Sequence, residues 1–186
     1  MKYISYIDEH GVQFSQDRTI LENCPPDFKG SYVIPDSVTK IGCNAFSSCK
    51  DLSKITIPHS VTKIDYEAFL GCSSLAKLEI PNSVTIIEDE AFSFCCGLTA
   101  IDIPDSVTEI GACDFHYCKH TVVRFHHKDP NQIKVDESAF EDCDEHSRLC
   151  VPEGTKSLYS QHPVFRRFRS ILEIPDEEWT AFFKEQ

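Results

Sequence analysis

A repeat of 23 residues constrains the fold of this chain more than any other feature of its sequence. The motif Ile-Pro-x-Ser-Val-Thr occurs four times, and its prolines are Pro35, Pro58, Pro81 and Pro104. A phenylalanine column keeps the same spacing until a last step of 25: Phe46, Phe69, Phe92, Phe115 and Phe140. A cysteine column lies three residues after it: Cys49, Cys72, Cys95, Cys118 and Cys143. Three columns in register indicate an array of stacked structural repeats.

Each repeat contains two short extended stretches. Leu78 and Ile80 alternate with polar neighbours, as in a half-buried strand, and Pro81 ends that strand. The segment Glu88–Phe92 is too short for an independent helix and predicts a single helical or 3₁₀ turn. Because one unit cannot bury its own apolar face, the units must stack. We therefore predict a strand-rich α/β solenoid of about five 23-residue coils, with parallel strands, short helical turns and a C-terminal helical cap.

The unit resembles the BspA-type leucine-rich repeat. The residues that carry this resemblance in one unit are Ile57-Pro58, Val61-Thr62, Ile64, Ala68-Phe69, Cys72 and Leu75. The resemblance covers roughly residues 11–174 and implies a degenerate first unit and a helical C-terminal cap. We divide the chain accordingly into a degenerate repeat or cap at 1–31, leucine-rich repeats at 32–150, and a C-terminal cap and helix at 151–186.

The resemblance also implies binding rather than catalysis. Similar proteins occur on bacterial and protist surfaces, where the family is associated with adhesion and protein binding, and the family supplies no catalytic residues. The sequence contains no G-x-S-x-G, P-loop or G-x-G-x-x-G motif. We therefore expect a non-catalytic protein-interaction or adhesion scaffold without a cofactor. The alternatives are a metal-binding protein or enzyme that uses the fourth repeat, and a structural or regulatory fragment of a larger assembly.

The fourth repeat departs from the pattern. Asp114 replaces the alanine before Phe115, and His126-His127 stands where Ile-Pro is expected. One extra residue is needed to bring Val122 into the leucine column. We therefore expect a bent or bulged strand ladder at this repeat.

The fourth repeat also carries the residues of the metal-binding alternative. Its zinc-type ligands are Cys113, His116, Cys118, His120, His126 and His127. Their spacing fits no closed zinc motif, so surface histidines beside an irregular coil are the simpler interpretation. A second group, with the same two interpretations, consists of Cys143, His146 and Cys150.

The cysteine column predicts an internal stack of buried thiols, although adjacent coils could bring two of them within disulfide range. The five other cysteines share no column: Cys24, Cys43, Cys96, Cys113 and Cys150. Thiols scattered in this way suit a reducing compartment better than a secreted protein.

Net charge and hydropathy exclude two classes of partner. The net charge is −12, and no basic cluster is longer than Arg166-Arg167, so a nucleic acid would be repelled. No apolar run approaches the length of about 18 residues that a membrane span requires. The first ten residues lack the apolar region of a secretory signal. This predicts a cytoplasmic protein unless a leader was removed, whereas similar proteins are often at the cell surface.

Outward strand positions recur once per coil and form the predicted binding face. One row is Val33, Thr56, Glu79, Asp102 and His126, and a neighbouring row is Lys54, Lys77 and Ala100. The predicted partner-binding residues are Lys54, Thr56, Lys77, Glu79, Asp102 and His126. Because the rows are mixed in charge and poor in aromatic residues, an ordinary solvated sheet face is the competing interpretation.

The C-terminal tail is a second candidate surface. Pro175 and the acidic residues 176–178 predict the start of a helix, on which Trp179, Phe182 and Phe183 share one face. We expect this apolar stripe to dock on the cap. The alternative is an exposed patch for a partner or a second copy of the chain.

Overall fold

The computed structural model describes residues 5–142, 147–175 and 177–179 and shows a solenoid of short strands. Its strands are β1 Tyr6–Ile7, β2 Gln13–Phe14, β3 Ile20–Asn23, β4 Lys29–Val33, β5 Lys40–Ile41, β6 Asp51–Thr56, β7 Lys63–Ile64, β8 Lys77–Glu79, β9 Ile86–Ile87, β10 Ala100–Ile103, β11 Glu109–Ile110, β12 Val122–Phe125, β13 Lys134–Val135, β14 Arg148–Val151 and β15 Ser170–Glu173. The helix α1 spans Lys156–Gln161, residues 177–179 are also helical, and two 3₁₀ segments span Pro130–Gln132 and Phe165–Arg167.

The strands form two walls. The first wall is one sheet in the order β1-β2-β3-β5-β7-β9-β11-β13, parallel from β3 onward. At its N-terminal end β1, β2 and β3 pair antiparallel. The second wall consists of the pair β4-β6 and the five-stranded parallel sheet β8-β10-β12-β14-β15. We call this second wall the strand wall. The predicted binding rows lie on it.

The solenoid has about seven turns, so the predicted number of five was too low. The strand wall continues through β14 and β15, which pair in parallel although neither belongs to a complete repeat motif. Buried Leu149 and Ile171 supply the inward apolar positions of these two strands. Parallel pairing requires only backbone groups and an apolar inner face, and for this reason the coils extend beyond the sequence signature.

The phenylalanine column forms the centre of the core. Phe46, Phe69, Phe92 and Phe115 are fully buried, and Phe140 is nearly so. The ring centroids of consecutive members lie 5.0, 5.4, 5.6 and 4.9 Å apart, and the ring planes differ by at most 15°. This spacing is close to the strand separation of about 4.8 Å. Each coil therefore adds one stacked ring, which confirms the stacked repeat.

The segment between the two walls forms consecutive hydrogen-bonded turns instead of the predicted helical turn. Glu90 and Phe94 hold positive φ angles of 59° and 58°. Between them, the Phe92 amide donates to the Asp114 carbonyl at 3.1 Å, and the Phe94 amide donates to the His116 carbonyl at 2.8 Å. A helix would turn these amides along its own axis, whereas the left-handed residues direct them to the next coil.

The cysteine column is an internal stack, as predicted. The thiols of Cys72, Cys95 and Cys118 each donate to the carbonyl of the phenylalanine 26 residues earlier, at 3.1–3.2 Å. Cys24 belongs below this column, because the Cys49 thiol lies 3.8 Å from the Cys24 carbonyl. Sequence spacing concealed this, since Cys24 precedes Cys49 by 25 residues. All cysteines in the described ranges are free thiols, and Cys143 lies outside those ranges.

The C-terminal end of the core is closed by α1 and the 3₁₀ segment after it. The buried Tyr159 hydroxyl of α1 donates to the His127 carbonyl at 2.9 Å. The ring of Phe165 meets the ring of Phe125 edge to face at 4.9 Å. Aromatic side chains from the cap thus continue the apolar interior that the phenylalanine column begins.

We predict that Phe92→Ala lowers the free energy of unfolding by about 3–5 kcal/mol, the usual cost of emptying a buried aromatic site. Phe92 is fully buried between two stacked rings, so both neighbours lose contacts. Equilibrium unfolding in urea measures the change. Phe94→Ala is the matched control, because Phe94 is 43% exposed, and it should cost less than about 1 kcal/mol. If both variants lowered the free energy of unfolding equally, the buried phenylalanine column would contribute no more to stability than an exposed ring.

Candidate functional site

The structure places the predicted binding residues along the outer face of the strand wall. Lys54 and Thr56 lie on β6, and Lys77 and Glu79 lie on β8, all exposed or half-exposed. Asp102 lies on β10 and is half-buried. Four of the six predicted residues therefore meet at the junction of β6 and β8.

The row does not continue to His126 as predicted. In the pairing of β10 with β12, Asp102 lies opposite Arg124, an offset of 22 residues, and His126 follows the end of β12. The sequence predicted one extra residue in the fourth repeat, but the repeat is one residue shorter between these two strands. Phe125 therefore lies opposite Ile103, in the buried isoleucine column. His126 still reaches the row, because its Nε2 lies 2.6 Å from Asp102 Oδ1.

The strand wall is interrupted between β6 and β8. Among the described residues these two strands share no ladder pairing, although β4 pairs with β6 and β8 pairs with β10. Between them lies a groove of about 680 Å³, which Lys54, Thr56 and Glu79 line together with His59 and Pro81. This volume falls within the range of about 300–1,000 Å³ that is usual for ligand sites.

Hydrogen bonds that recur at other coils are missing at the groove. The Ser60 and Ser106 hydroxyls each donate to a valine carbonyl of the preceding coil, at 2.6 and 2.9 Å. The equivalent Ser83 hydroxyl is buried and has no partner. Ile55 and Ile57 are each 7% exposed, whereas Ile101 and Ile103 of β10 are fully buried. The opening therefore reaches from the strands into the following turn.

A lysine lies on each side of this groove. Lys54 and Lys77 occupy equivalent positions on the two sides of the groove, and like charges on neighbouring strands disfavour close pairing. On the first wall, Asp65 lies 2.6 Å from the Lys40 ammonium and 3.3 Å from the Lys63 ammonium. A bridging carboxylate therefore lets lysine-bearing strands pair there.

Trp179 covers the other half of the strand wall. Its side chain is 3% exposed and packs on Ala100 and Cys150, and its ring faces the Arg124 guanidinium at 5.4 Å. The indole Nε1 donates to Asp102 Oδ2 at 3.0 Å. Trp179 therefore docks on the strand wall, whereas the sequence predicted docking on the cap. Phe182 and Phe183 lie outside the described residues.

The zinc-type residues of the fourth repeat have separate surroundings. The Cys118 thiol lies in the core, the buried His127 ring contacts the Val107 carbonyl at 2.8 Å, and His116 Nε2 lies 3.0 Å from an Asp142 carboxylate oxygen. No group of three or more His, Cys, Asp or Glu side chains within the described ranges is arranged to hold a metal ion. Of the second group, Cys143 and His146 lie outside those ranges, and Cys150 is buried.

Asp114 is the buried carboxylate of the fourth repeat. It is fully buried in the alanine column, and its Oδ1 accepts from the Ala91 amide at 2.7 Å. Burial, reinforced by the nearby Asp89 and Glu88, raises the pKa of the Asp114 carboxyl well above its usual range, although the backbone hydrogen bonds oppose this. A buried carboxyl thus replaces the alanine methyl in this coil.

The sequence analysis missed the interruption of the wall and the buried Arg124. Recurring lysines did not mark the interruption, since Lys40 and Lys63 also occupy the same position of successive repeats and yet pair on the first wall. Nothing in the motif pattern indicated that Arg124 faces the outer side of β12 or that Trp179 covers it.

A family model described as BspA type leucine rich repeat region matches the chain in six copies, over residues 22–147 and 94–174. These ranges include the interrupted wall and the fourth repeat. No curated protein matches the chain.

Solved structures of bacterial leucine-rich repeat proteins share this fold. The T. pallidum protein TpLRR is 22% identical, with a TM-score of 0.66 over 98% of this chain and 92% of that one. A leucine-rich repeat protein from Eubacterium ventriosum is 23% identical, with a TM-score of 0.71 over 92% of this chain and 52% of that one. The pneumococcal vaccine antigen PcpA is 18% identical, with a TM-score of 0.67 over 92% of this chain and 48% of that one. The chain thus spans about half the length of the latter two.

In the described part of the chain, none of the helices has the length and apolarity needed to cross a membrane.

We predict that Asp102→Ala loosens the docked tail. The substitution removes the acceptor of the indole hydrogen bond, so Trp179 should become more accessible to solvent. Because the chain has a single tryptophan, acrylamide quenching of its fluorescence measures this directly, and quenching should increase. Glu79→Ala is the control, since Glu79 lies opposite Asp102 on β8. Unchanged quenching in Asp102→Ala would show that the hydrogen bond does not hold the tail.

We predict that the stability gained by Asp114→Asn increases with pH. Below the ordinary pKa of 3.8 the carboxyl is protonated in both states, whereas above it the unfolded chain ionises first. The wild type therefore loses stability as pH rises towards the raised folded-state pKa, by at most about 1.4 kcal/mol per pH unit. The variant lacks this loss. Urea unfolding between pH 4 and pH 8 tests it, with exposed Asp105→Asn as the control. Parallel pH profiles for wild type and Asp114→Asn would contradict the prediction.

Proposed function

The chain belongs to the BspA-type leucine-rich repeat family, and we propose that it is a non-catalytic scaffold that binds a protein partner. The repeat family supports an interaction or adhesion role, and leucine-rich repeat proteins are generally non-enzymatic scaffolds. The docking site in this proposal is the groove between β6 and β8. Its binding residues are Lys54, Thr56, Lys77 and Glu79.

The interruption of the strand wall is the observation that carries this proposal. A continuous ladder offers a partner only a flat row of side chains, whereas the groove offers concave surface beside exposed charges. The groove is lined by aliphatic Ile55 and Ile57 as well as by lysine and glutamate. A site of this kind combines an apolar floor with a polar rim, as protein interfaces do.

The groove is also pre-organised. Its two sides belong to coils that remain joined on the first wall through the pairing of β7 with β9. They are joined again in the turns, where the Phe69 amide donates to the Ala91 carbonyl at 2.8 Å. A partner therefore meets side chains on a rigid support, which reduces the entropy lost on binding.

Asp102 and His126 have a different role in this proposal. Asp102 bridges the His126 ring and the Trp179 indole, so these two predicted binding residues hold the tail against β10. The partner surface is thereby limited to the part of the strand wall that Trp179 leaves open.

Affinity capture with charge-reversed variants tests the proposal. The intact chain and the variant Lys54→Glu/Lys77→Glu are compared as baits in extracts of the source cells. Captured partners should be recovered at least roughly tenfold less with the variant, because charge reversal places like charges opposite the partner. The control is Lys50→Glu/Lys128→Glu, which makes the same charge change at exposed positions away from the groove. Equal recovery of every partner by all three baits would refute the groove as the docking site.

A further inference from the structure

We infer that the C-terminal end of the strand wall binds an extended, acidic peptide segment of a partner protein, which adds a strand to the free edge of β15. This site is separate from the groove between β6 and β8, and neither site depends on the other. Strand addition to a sheet edge obtains affinity from main-chain hydrogen bonds and specificity from alternate side chains. At β15 the structure supplies an open edge, a cleft beside it and a complementary charge.

The outer edge of β15 is unpaired. This strand ends the five-stranded sheet, and in the described chain its only ladder partner is β14. The Ile174 amide donates to the Val151 carbonyl of β14 at 3.1 Å. Because successive residues direct their amides to opposite sides of a strand, those of Ile171 and Glu173 face away from β14. Neither amide donates to another backbone group among the described residues, so this edge is open to pairing.

An added strand requires no separation of coils. β15 belongs to the last coil of the described chain, so the new strand would lie about 4.8 Å beyond it, where a further coil would continue the wall. The helix α1 closes the core of this coil but takes no place in the strand ladder. Its first amide, that of Lys156, donates to the Glu173 carboxylate at 2.8 Å. The start of α1 is thereby held beside the end of β15, and the edge is presented on a fixed support.

A cleft accompanies β15 at this end of the solenoid. Its volume is about 330 Å³, near the lower end of the usual range for ligand sites. It is lined by residues 170–172 of β15 with Arg169 before them, by Lys156 and Ser160 of α1, and by Arg166. We call it the cap cleft. Leu172 is 39% exposed, so an added segment meets an apolar side chain as well as the strand edge.

The cap cleft is basic in an acidic protein. Lys156, Arg166 and Arg169 line it, and no described Asp or Glu does. Residues 156–172 contain four Lys or Arg and no Asp or Glu, whereas the whole chain has a net charge of −12. The three cationic side chains of the cleft are exposed, and in the described chain none of them forms an ion pair. By contrast, the Arg167 guanidinium, outside the cleft, already lies 3.9 Å from a carboxylate. The charge of the cleft is therefore available to an anionic partner.

Edge and charge together favour a peptide over other anions. A phosphate group or a nucleic acid could use the three cations, but the free amides of Ile171 and Glu173 favour a chain that extends along the edge and brings its own carbonyls. In an added strand alternate side chains point to opposite faces. The fitting segment therefore alternates Asp or Glu, directed to the cationic side chains, with apolar residues, one of which contacts Leu172.

A displayed library of random 12-residue peptides is the probe for this site. Selection on the full chain, with counter-selection on Arg166→Gln/Arg169→Gln, should enrich peptides in which Asp or Glu alternates with apolar residues. Calorimetry of the best peptide should show at least about tenfold weaker binding to this variant and to Lys156→Gln, because each loses charge that faces the peptide. The control is Lys50→Gln/Lys128→Gln, which removes two positive charges at exposed positions outside the cleft and should bind as the wild type does. Equal affinity for all four proteins would overturn the site.

Backbone N-methylation of the selected peptide tests strand addition itself. Methylation at alternate residues should weaken binding at least about tenfold, whereas methylation at the intervening residues should have little effect, since only every second amide faces β15. Amide hydrogen exchange of the protein should slow at Ile171 and Glu173 when the peptide binds, while the Leu172 amide, which faces β14, should change little. Insensitivity to N-methylation at every position would overturn strand addition.

Competition and deletion identify other occupants of the cap cleft. Displacement of the peptide by 12-nucleotide oligo(dT), or by vesicles containing phosphatidylserine, at equal affinity would overturn the assignment to a peptide. A tenfold or greater rise in peptide affinity after deletion of residues 180–186 would show that the chain's own tail fills the cleft. A dimer that Arg166→Gln/Arg169→Gln dissociates would show that a second copy does. Lys54→Glu/Lys77→Glu should bind the selected peptide as the wild type does, so failure of the groove and failure of the cap cleft are distinguishable.

Discussion

The fold depends on the stacking of identical apolar positions at the separation of adjacent strands. A coil of 23 residues has no interior of its own, and its phenylalanine, cysteine and isoleucine side chains are buried only because another coil lies about 5 Å away on either side. The backbone obeys the same requirement, since amides of the walls and turns donate to the next coil. Both ends must therefore be closed, by the antiparallel strands β1 and β2 at one end and by α1 at the other.

The candidate site lies where this stacking is relaxed on one wall only. Between β6 and β8 the strand ladder is absent, yet the first wall, the turns and the phenylalanine stack continue without interruption. Because three of the four connections remain, the solenoid stays intact while one edge becomes accessible. A groove can thus form in one wall of a repeat protein while the coils remain stacked elsewhere.

The tail divides the strand wall into a covered part and an open part. Trp179 lies on Ala100 and beside the Arg124 guanidinium, and Asp102 holds its indole. A predicted binding residue can therefore serve to anchor the chain's own tail instead of a partner. The groove lies on the opposite side of β8 from the docked Trp179.

The repeat columns in the sequence determined the solenoid, its parallel strands and its buried phenylalanine and cysteine stacks, because stacking forces every coil to present the same residue type at the same place. They also identified Lys54, Thr56, Lys77 and Glu79 as outward residues, since alternation along a strand fixes which side chains leave the core. They did not determine the number of coils, because β14 and β15 pair through their backbones without the motif. Tertiary structure alone decided that Arg124 takes the place expected for His126, that Trp179 covers β10, and that the wall opens beside β6. These features depend on register and on contacts between distant segments, and a local periodicity carries no information about either.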